Sequence, residues 1–546
     1  MTEPLPLERL ARWVAEQPQQ IWLSQPVDGL WHDFTWTQVD DQARRMASAL
    51  QGLGCRPGDR VALLAKNCAE WFIADLAIML AGLVSVPLYP LQAADSIAFV
   101  LEHAQCKVIF LGKLDAPEVL AAGIPESVVR IAFPYPTAPA QHQWAQLLGS
   151  HGPLRAGHRQ TVDELTSILY TSGTTGQPKG VMLSPGAFAF AASRSVAELR
   201  IDARDRYFSY LPLSHAAERF LVQMNSLYSG GRVAFVESMD SFARDLRHVR
   251  PTVFFSVPRL WTRFQQGVLE RLPQARLARL LGVPLLGRLL AWKIRRGLGL
   301  DRARILISGA AAIAPGLLDW YRRIGLTLCE GYGLTEQFAY GTFNRPGQVR
   351  LGTVGRAMPD NALRIADDGE ILFRSPSLML GYYLEPEKTA EALKDGWLHS
   401  GDKGELDAAG YLRITGRLKD IFKTSKGKYI APAPIEGAIA ENVLVEQVCV
   451  MGSNLDQPLA LIELSPAARA LPRAQVDVAL AATLLALNQR LLAHERISHF
   501  LLVREAWTVD NGCMTPTMKI RRAVLEARFA AELDTLDPRQ PLHWQS

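Results

Sequence analysis

The chain has 546 residues, too many for one hydrophobic core, so we expect at least two domains. Its 48% hydrophobic and 21% charged residues exclude a disordered chain. The net charge is only +5, from 59 basic and 54 acidic residues, so the protein lacks the strong overall positive potential that attracts nucleic acid. We therefore expect no nucleic acid partner.

Six widely separated cysteines lack the close pairing of a zinc site or a redox motif, which indicates a reducing, cytoplasmic setting. The first 20 residues interrupt their apolar positions with Glu, Arg and Gln, so we expect no secretory signal. No window of about 18 uncharged apolar residues predicts a spanning helix. If the protein contacts a membrane, we expect it to bind at the membrane surface.

Helix-like and strand-like segments alternate from the start of the chain. "WTQVDDQARRMASALQGLG" has apolar residues at helical spacing and ends in glycine, and "DRVALLA" then has the pattern of a buried strand. "CKVIFLG", "PTVFFSV" and "ARILISG" continue the alternation. This predicts an α/β fold, with a large N-terminal domain of stacked α/β subdomains whose parallel sheets are covered by helices.

The pattern changes at Asn361 to short strands separated by turn signals. "ALRIADDGEILFR" has a DDG turn between two apolar runs, and "GELDAAGYLRITGR" indicates a second hairpin. These segments predict a small β-rich subdomain. After Gly416 the chain is basic and glycine-bearing and then returns to helix and strand, so we place a domain boundary there and expect a small α+β C-terminal domain.

The stretch "YTSGTTGQPKG", residues 170–180, lies between the apolar runs "SILY" and "GVML". Glycines let backbone amides approach a ligand closely, and the hydroxyls and Lys179 add donors and a cation, so this loop suits a polyphosphate. It lacks the glycine-to-lysine spacing of a Walker P-loop. Taken alone, it is also typical of a flexible surface loop rich in turn formers.

Five further segments in a fixed order decide between these interpretations: "SGAA" (308–311), "EGYGLTE" (330–336), "GEILFRSPSLMLGYY" (369–383), "GWLHSGD" (396–402) and "GRLKD" (416–420). Together with the loop they resemble the signature of the adenylate-forming superfamily, which includes acyl-CoA synthetases, luciferases and peptide-synthetase adenylation domains. The resemblance covers nearly the whole chain. "YLPLSHAAER", "PTVFFSVPRLW", "KTSKGKYIAPAPIE" and "NGCMTPTMKIRR" are most similar to long-chain fatty acyl-CoA synthetases.

This resemblance implies an ATP-dependent activation of a medium- or long-chain fatty acid. The carboxylate attacks the α-phosphate, pyrophosphate leaves, and the thiol of coenzyme A then displaces AMP from the acyl adenylate. The protein mainly positions groups and stabilises charge. By the same resemblance, Thr335 contacts the α-phosphate, Glu336 holds Mg²⁺, and the β- and γ-phosphates are held by Thr171, Ser172, Gly173, Thr174, Thr175 and Lys179.

For the adenosine, the resemblance implies a slot with small residues on one side and the ring of Tyr332 as a stacking face. Asp402 accepts hydrogen bonds from the ribose hydroxyls, and Arg417 supports the ribose and phosphate. As isolated features these residues are also typical of core packing or turn capping. The slot comprises Ser308, Gly309, Ala310, Ala311, Glu330, Gly331, Tyr332 and Gly333.

Lys519 matches the C-terminal catalytic lysine of the superfamily, which enters the site during adenylation and is withdrawn when the C-terminal domain rotates. Lys419 matches the hinge. The expected domains are therefore 1–415 (AMP-binding), 416–420 (hinge) and 421–546 (mobile lid). His215 is assigned to acyl-substrate binding, with a helix-capping or core role as the alternative.

Two segments depart from the superfamily pattern. Ser184 and Pro185 replace the common Thr-His, which leaves the start of the following helix open, and Ala310 replaces a usual glycine and is expected to narrow the adenine slot.

Residues 259–304 contain many arginines, few acids and apolar residues at roughly helical spacing. We hypothesise a peripheral contact with the inner face of the membrane, because basic amphipathic helices bind anionic interfaces. An ordinary core-facing helix with a basic outer face is the alternative.

Two other functions stay open at this point. The acyl adenylate is the shared intermediate of enzymes that deliver to a carrier-protein phosphopantetheine or that act on a specialised secondary-metabolite acid. A nucleotide-binding regulatory protein is the third interpretation, but the presence of Glu336, Asp402 and Lys519 argues against it.

Overall fold

The structure, a computed structural model, describes residues 3–171, 178–453, 455–515, 519–533, 535–537 and 539–545. Its strands are β1 (Ile21–Val27), β2 (Leu30–Thr35), β3 (Arg60–Ala65), β4 (Val84–Pro87), β5 (Cys106–Gly112), β6 (Val129–Ala132), β7 (His142–Gln143), β8 (Ser167–Thr171), β9 (Lys179–Leu183), β10 (Arg206–Ser209), β11 (Arg232–Phe235), β12 (Val253–Ser256), β13 (Ile305–Ser308), β14 (Leu328–Tyr332), β15 (Thr342–Phe343), β16 (Arg356–Ala357), β17 (Ala362–Ile365), β18 (Glu370–Arg374), β19 (Gly381–Tyr382), β20 (Leu393–Lys394), β21 (Trp397–Leu406), β22 (Leu412–Arg417), β23 (Phe422–Lys423), β24 (Tyr429–Ile430), β25 (Val445–Met451), β26 (Leu459–Leu464), β27 (Phe500–Val503) and β28 (Leu542–Trp544).

The α-helices are α1 (Pro6–Glu16), α2 (Trp36–Gly52), α3 (Ala69–Leu80), α4 (Ala94–His103), α5 (Pro117–Ala121), α6 (Trp144–Ser150), α7 (Pro185–Glu198), α8 (Ala216–Glu218), α9 (Asn225–Ser229), α10 (Phe242–Val249), α11 (Pro258–Arg271), α12 (Gln274–Leu281), α13 (Leu286–Gly297), α14 (Pro315–Arg323), α15 (Pro386–Ala392), α16 (Pro432–Ile439), α17 (Pro466–Arg469), α18 (Arg473–Asn488) and α19 (Arg522–Leu533). A π-helix spans Arg219–Met224 and a 3₁₀ turn spans Thr335–Gln337.

The large sheet has the strand order β19-β9-β8-β4-β3-β5-β6-β7. Its strands β8, β4, β3, β5, β6 and β7 pair in parallel, as the alternating pattern predicts. The pair β8 and β9 is antiparallel, because only residues 172–178 separate these strands and a parallel crossover needs about a dozen residues. Helix α3 is buried along its whole length, which explains why its sequence is apolar except for Glu70 and Asp75.

Two further sheets complete the large α/β region. One has the order β12-β13-β14-β15-β16, with its first three strands parallel, and the other has the order β10-β11-β1-β2. The small β-rich subdomain is the antiparallel sheet β17-β18-β21-β20, with β22 paired to β21. Both hairpins predicted there, around the DDG turn and within "GELDAAGYLRITGR", are confirmed.

The C-terminal region has its own sheet, β25-β26-β27-β28, and its own apolar core beneath α16 and α18. It contacts the large region through an ion pair between Arg259 Nη2 and Glu446 Oε1 at 2.5 Å. The α/β fold with a large N-terminal and a small C-terminal part is thereby confirmed.

A buried ionic cluster joins three elements of the large region. Arg219, in the π-helix, donates to both carboxylate oxygens of Asp75 on α3 at 2.8 and 2.7 Å, and neither side chain is exposed. Arg219 also donates to Ser167 Oγ at 2.7 Å, and Ser167 begins β8. The cluster therefore fixes the start of β8, the strand that ends at Thr171.

The departure at Ser184 forms a regular helix start. Ser184 Oγ accepts a hydrogen bond from the amide of Ala187 at 3.1 Å, and Pro185 occupies the first helical position of α7. Serine is a favoured cap and proline suits the first turn. The doubt about this helix start is therefore removed.

Candidate active site

The site begins at the carboxyl ends of β13 and β14, which pair in parallel with Ser308 opposite Glu330. Ligands of α/β sheets bind at this end of the strands. The backbone is tightly packed here: a Cβ added at Gly333 would lie 2.5 Å from the carbonyl oxygen of Ala339. Glycine is therefore required at position 333.

Ala310, which follows β13, has a backbone φ of +67°. This left-handed conformation is costly for a residue with a Cβ and easy for glycine. The replacement of the usual glycine thus introduces local backbone strain.

We expect Ala310→Gly to raise the free energy of unfolding by up to about 1 kcal/mol, because release of the strain outweighs the added freedom of the unfolded chain. Chemical denaturation measures this change. Ala311→Gly is the matched control and is expected to lower the free energy of unfolding by about 0.5 kcal/mol, since Ala311 has no positive φ. A loss of stability in Ala310→Gly as large as in the control would contradict the strain argument.

The carboxyl of Glu330 is buried beside this turn, and burial raises its pKa to about 8. Glu330 Oε2 and the hydroxyl of Ser308 have no hydrogen-bond partner among the described residues. Unpartnered buried polar atoms are costly, so they indicate a place where a polar ligand completes the structure.

The raised pKa of Glu330 makes the folded protein bind more protons than the unfolded chain between about pH 4.5 and 8. Stability from this group is therefore present at low pH and is lost as the pH rises towards 8. Over this pH range we expect the wild type to lose on the order of 3 kcal/mol of its free energy of unfolding through this group, and Glu330→Gln not to show this loss. Denaturation curves across pH 5–9 measure this pH dependence in the wild type, in Glu330→Gln and in the exposed control Glu387→Gln. If Glu330→Gln keeps the pH dependence of the wild type, the role of Glu330 is contradicted.

Asp402 lies on β21 and is nearly fully buried. Its Oδ2 accepts a hydrogen bond from Tyr332 Oη at 2.6 Å, and its Oδ1 pairs with Arg417 Nε at 3.0 Å. The antiparallel pairing of β21 with β22 places Asp402 directly opposite Arg417. The structure thus brings together three residues that the sequence assigned to one nucleotide.

The expected phosphate residues are described in part. Thr171 ends β8 directly opposite Lys179, which begins β9, so the antiparallel pairing brings these two expected phosphate residues together. The predictions for Ser172, Gly173, Thr174 and Thr175 lie outside the described residues.

Lys179 is surrounded by charge. Its Nζ lies 5.1 Å from the centre of the Tyr382 ring. Burial and the nearby cations Lys388 and Lys419 lower its pKa, and Glu336 acts in the opposite direction. Glu385, which pairs with Lys388, is also near, so three lysines and two glutamates leave a net positive charge suited to a polyphosphate.

Glu336, in the 3₁₀ turn with Thr335, is half-buried. Its Oε1 accepts a hydrogen bond from Tyr382 Oη at 2.8 Å. No group of three or more His, Cys, Asp or Glu side chains suited to a metal occurs within the described ranges. Mg²⁺ is usually bound by one or two carboxylates together with substrate phosphates, so one glutamate near Lys179, an expected phosphate residue, fits this ion.

His215 caps α8: its Nδ1 accepts a hydrogen bond from the amide of Ala217 at 3.1 Å. Burial and the charge of Lys519 lower its pKa to about 4, so the imidazole is neutral at pH 7. A neutral ring that accepts at Nδ1 carries its proton on Nε2. His215 also lines a cavity with Phe220, Leu221, Phe343 and Met358, so the capping role and a place in the site coincide.

The side chain of Lys519 keeps contact with solvent. Partial desolvation by the surrounding protein atoms and the charge of Arg417 lower its pKa, while Asp402 and Glu336 act in the opposite direction. These interactions, together with the effect of Lys519 on His215, bring Lys519 near residues that the sequence assigned to the nucleotide and to the acyl substrate. The C-terminal region is therefore docked with Lys519 at the candidate site.

Comparison with known proteins agrees with this arrangement. The AMP-binding enzyme family matches residues 10–383, and the AMP-binding enzyme C-terminal domain matches residues 419–538. This chain belongs to the AMP-binding enzyme family. A long-chain-fatty-acid–CoA ligase of Mycobacterium bovis is 30% identical over 587 aligned positions, covering 95% of each chain. Long-chain-fatty-acid–CoA ligase 1 of Homo sapiens is 29% identical and covers 92% of this chain and 82% of its own.

Solved structures share the fold of this AMP-binding enzyme. An anthranilate CoA ligase in complex with anthranoyl-AMP has a TM-score of 0.81 at 22% identity, covering 98% of both chains. The adenylation domain of a carboxylate reductase from Mycobacterium chelonae also has a TM-score of 0.81 at 22% identity, covering 97% of this chain and 90% of its own. At this identity the likeness concerns the fold alone.

Sequence reasoning on this AMP-binding enzyme missed two residues beside the phosphate loop. Tyr382 contacts both Lys179 and Glu336, and Lys388 adds a cation near Lys179. Tyr382 lies in the quoted segment "GEILFRSPSLMLGYY", which could have singled it out. Lys388 has no such signal, because a lysine in "EPEKTAEA" has the pattern of any exposed helix.

Proposed function

We propose that this protein activates a medium- or long-chain fatty acid with ATP and transfers the acyl group to coenzyme A, releasing AMP and pyrophosphate. The observation that carries the proposal is that the charge of Lys519 interacts with Glu336, Asp402 and His215. Curated relatives that align along nearly the full chain, with names that specify long-chain-fatty-acid–CoA ligases, support the substrate class.

The first step joins two anions, so its barrier depends on cations placed between them. A carboxylate oxygen of the acid attacks the α-phosphorus, and the bond to the pyrophosphate oxygen breaks. In this proposal Lys519 binds the reacting carboxylate and α-phosphate, Thr335 donates to the α-phosphate, and Lys179 binds the β- and γ-phosphates. Thr171, Ser172, Gly173, Thr174 and Thr175 complete the phosphate loop.

The adenosine lies across the carboxyl ends of β13 and β14. Tyr332 stacks on the base, and the polar atoms of Ser308 and Glu330 at the end of the slot bind its edge. Asp402 binds the ribose hydroxyls, and Arg417 binds the ribose and phosphate. The remaining contacts are made by Gly309, Ala310, Ala311, Gly331 and Gly333.

Glu336 holds Mg²⁺ in this proposal. When bound, the ion neutralises charge on the phosphates. The side chain of Tyr382 orients Glu336 through their hydrogen bond.

His215 presents its Nε2 proton to the acyl substrate at the end of the apolar cavity. For the second step Lys519 leaves the site by rotation of residues 421–546 about the hinge 416–420, where Lys419 lies, while residues 1–415 stay in place. The thiolate of coenzyme A then attacks the carbonyl carbon, and AMP leaves.

The acceptor distinguishes this function from its alternative, delivery of the acyl adenylate to a carrier-protein phosphopantetheine or use of a specialised acid. We would measure pyrophosphate and thioester formation with acids from short to long chain, with and without coenzyme A. Long-chain acyl-CoA is the expected product. Adenylate and pyrophosphate without thioester would identify another acceptor, and inactivity with every acid would contradict the proposal.

We also propose that the protein works in the cytoplasm and contacts the membrane peripherally through residues 259–304. The membrane is where its fatty acid substrate is dissolved. The arginine-rich sequence of this segment supports the contact. Among the helices formed by the described residues, none has the length and apolarity to span a bilayer.

A further inference from the structure

Helix α13 has two apolar faces, only one of which is packed. Its inner face, with Gly287 and Ala291, is buried against α12 and the core beneath. The outer face and the preceding turn leave large apolar side chains in solvent: Val283 (46% exposed), Leu285 (77%), Leu286 (46%), Leu289 (49%) and Trp292 (40%). Contiguous exposed apolar side chains of this kind mark interaction surfaces.

Helices α12 and α13 form a helical hairpin, and this hairpin carries a strong positive charge. Residues 271–300 contain no Asp or Glu. Five exposed cations lie on α12 and α13, and none of them forms an ion pair with a described residue: Arg276, Arg279, Arg288, Lys293 and Arg296. The guanidinium of Arg296 lies over the Trp292 ring, 5.4 Å from its centre.

The two ends of segment 259–304 differ from this hairpin. Arg259 pairs with Glu446, and Arg304 pairs with Asp205. Trp261 is fully buried and Arg295 is half-buried, donating to the carbonyl of Gly325. These residues are therefore occupied within the protein, and the accessible part of the segment is the α12–α13 hairpin.

We infer that the turn 283–286 and the outer face of α13 form a docking surface for an anionic lipid bilayer. The leucines enter the boundary between headgroups and acyl chains, Trp292 lies at headgroup level, and the cations contact lipid phosphates. A second copy of the chain fits poorly, because a two-fold contact would place five cations against five cations. The inference rests on the membrane contact proposed above and narrows it to one surface and one lipid charge.

The test is co-sedimentation of the full-length protein with vesicles of phosphatidylcholine alone or with about a third phosphatidylglycerol. We expect binding to the anionic vesicles that weakens between about 0.1 M and 0.5 M NaCl, because salt screens the charges. The triple variant Arg288→Gln, Lys293→Gln, Arg296→Gln is expected to bind about a hundredfold more weakly, from roughly fivefold per cation. The control Arg204→Gln, Arg413→Gln, Arg539→Gln removes three exposed cations elsewhere and should bind as the wild type.

The apolar part is tested with Leu285→Asn combined with Leu289→Asn, which should weaken binding at least tenfold. Leu285 is 77% exposed and Leu289 is 49% exposed, so neither side chain belongs to the core and this variant is expected to fold. Val478→Asn with Leu485→Asn, on the exposed face of α18, is the matched control. Thermal unfolding and activity on a water-soluble short-chain acid confirm that each variant is folded.

Each outcome decides a different statement. A wild type that stays in solution with anionic vesicles overturns both the peripheral contact and this surface. If the cation triple variant and the leucine double variant both bind as tightly as the wild type, the proposed surface is wrong but the peripheral contact stands. Equal binding to neutral and anionic vesicles contradicts the preference for anionic lipid. A concentration-dependent dimer that the leucine variant no longer forms would show that the surface binds a second copy of the chain instead of a bilayer. None of these results depends on whether coenzyme A is the acyl acceptor.

Discussion

Lys519→Ala is expected to lower the rate of acyl-adenylate formation by about 10²–10³-fold, the usual effect of removing one preorganised charge from a transition state. In the docked structure Lys519 lies near Asp402, Glu336 and His215, where carboxylate and α-phosphate meet in the proposed reaction. Pyrophosphate release from ATP and a long-chain acid measures this step.

The second half-reaction separates a catalytic role from a structural one. With synthetic acyl adenylate and coenzyme A as substrates, Lys519→Ala should form thioester at nearly the wild-type rate, because the lysine is outside the site in that step. Arg521→Ala, an exposed cation two residues away, is the matched control for both assays. Equal losses in the two half-reactions, or an undiminished adenylation rate, would show that Lys519 does not have the proposed role.

The second large effect concerns stability. Asp75→Ala is expected to lower the free energy of unfolding by about 3–5 kcal/mol, because it leaves the guanidinium of Arg219 buried without its counter-ion. Arg219 lies between the rings of Trp71 and Phe188, so it cannot reach water without disrupting the core. Urea denaturation followed by fluorescence measures the change.

An exposed ion pair provides the matched control. Asp319→Ala removes the partner of Arg323 on the surface of α14 and should cost less than about 1 kcal/mol. The double variant Asp75→Leu, Arg219→Met should recover much of the loss, because it removes both charges and keeps the volume. An effect of Asp75→Ala as small as that of Asp319→Ala would show that the buried pair does not have the expected weight.

The fold could be predicted from the sequence where the local hydrophobic pattern identifies each strand and the connections between strands determine their pairing. Strands such as β3 and β5 are short apolar runs between helices, and their parallel pairing follows from the crossovers between them. The family itself was predicted from segments such as "EGYGLTE", because they lie where glycine and polar residues meet a ligand. The assigned roles of the individual site residues stay predictions.

Other features depend on contacts between distant segments, which no local pattern contains. The pairing of Asp75 with Arg219 joins residues 144 positions apart, and the π-helix that carries Arg219 has the composition of an ordinary helix. His215 was assigned to substrate binding with capping as an alternative, and in the structure one ring nitrogen caps the helix while the ring lines the cavity. The strain at Ala310 is a backbone property that the residue type alone does not reveal.

The most direct test of the proposed chemistry follows an oxygen atom. A long-chain fatty acid labelled with ¹⁸O in both carboxylate oxygens is incubated with ATP, Mg²⁺, coenzyme A and the protein, and the nucleotide product is analysed by mass spectrometry. Attack of the carboxylate on the α-phosphorus predicts AMP that carries one ¹⁸O, formed together with acyl-CoA. Unlabelled AMP, or ADP with the label in inorganic phosphate, would contradict an acyl-adenylate mechanism.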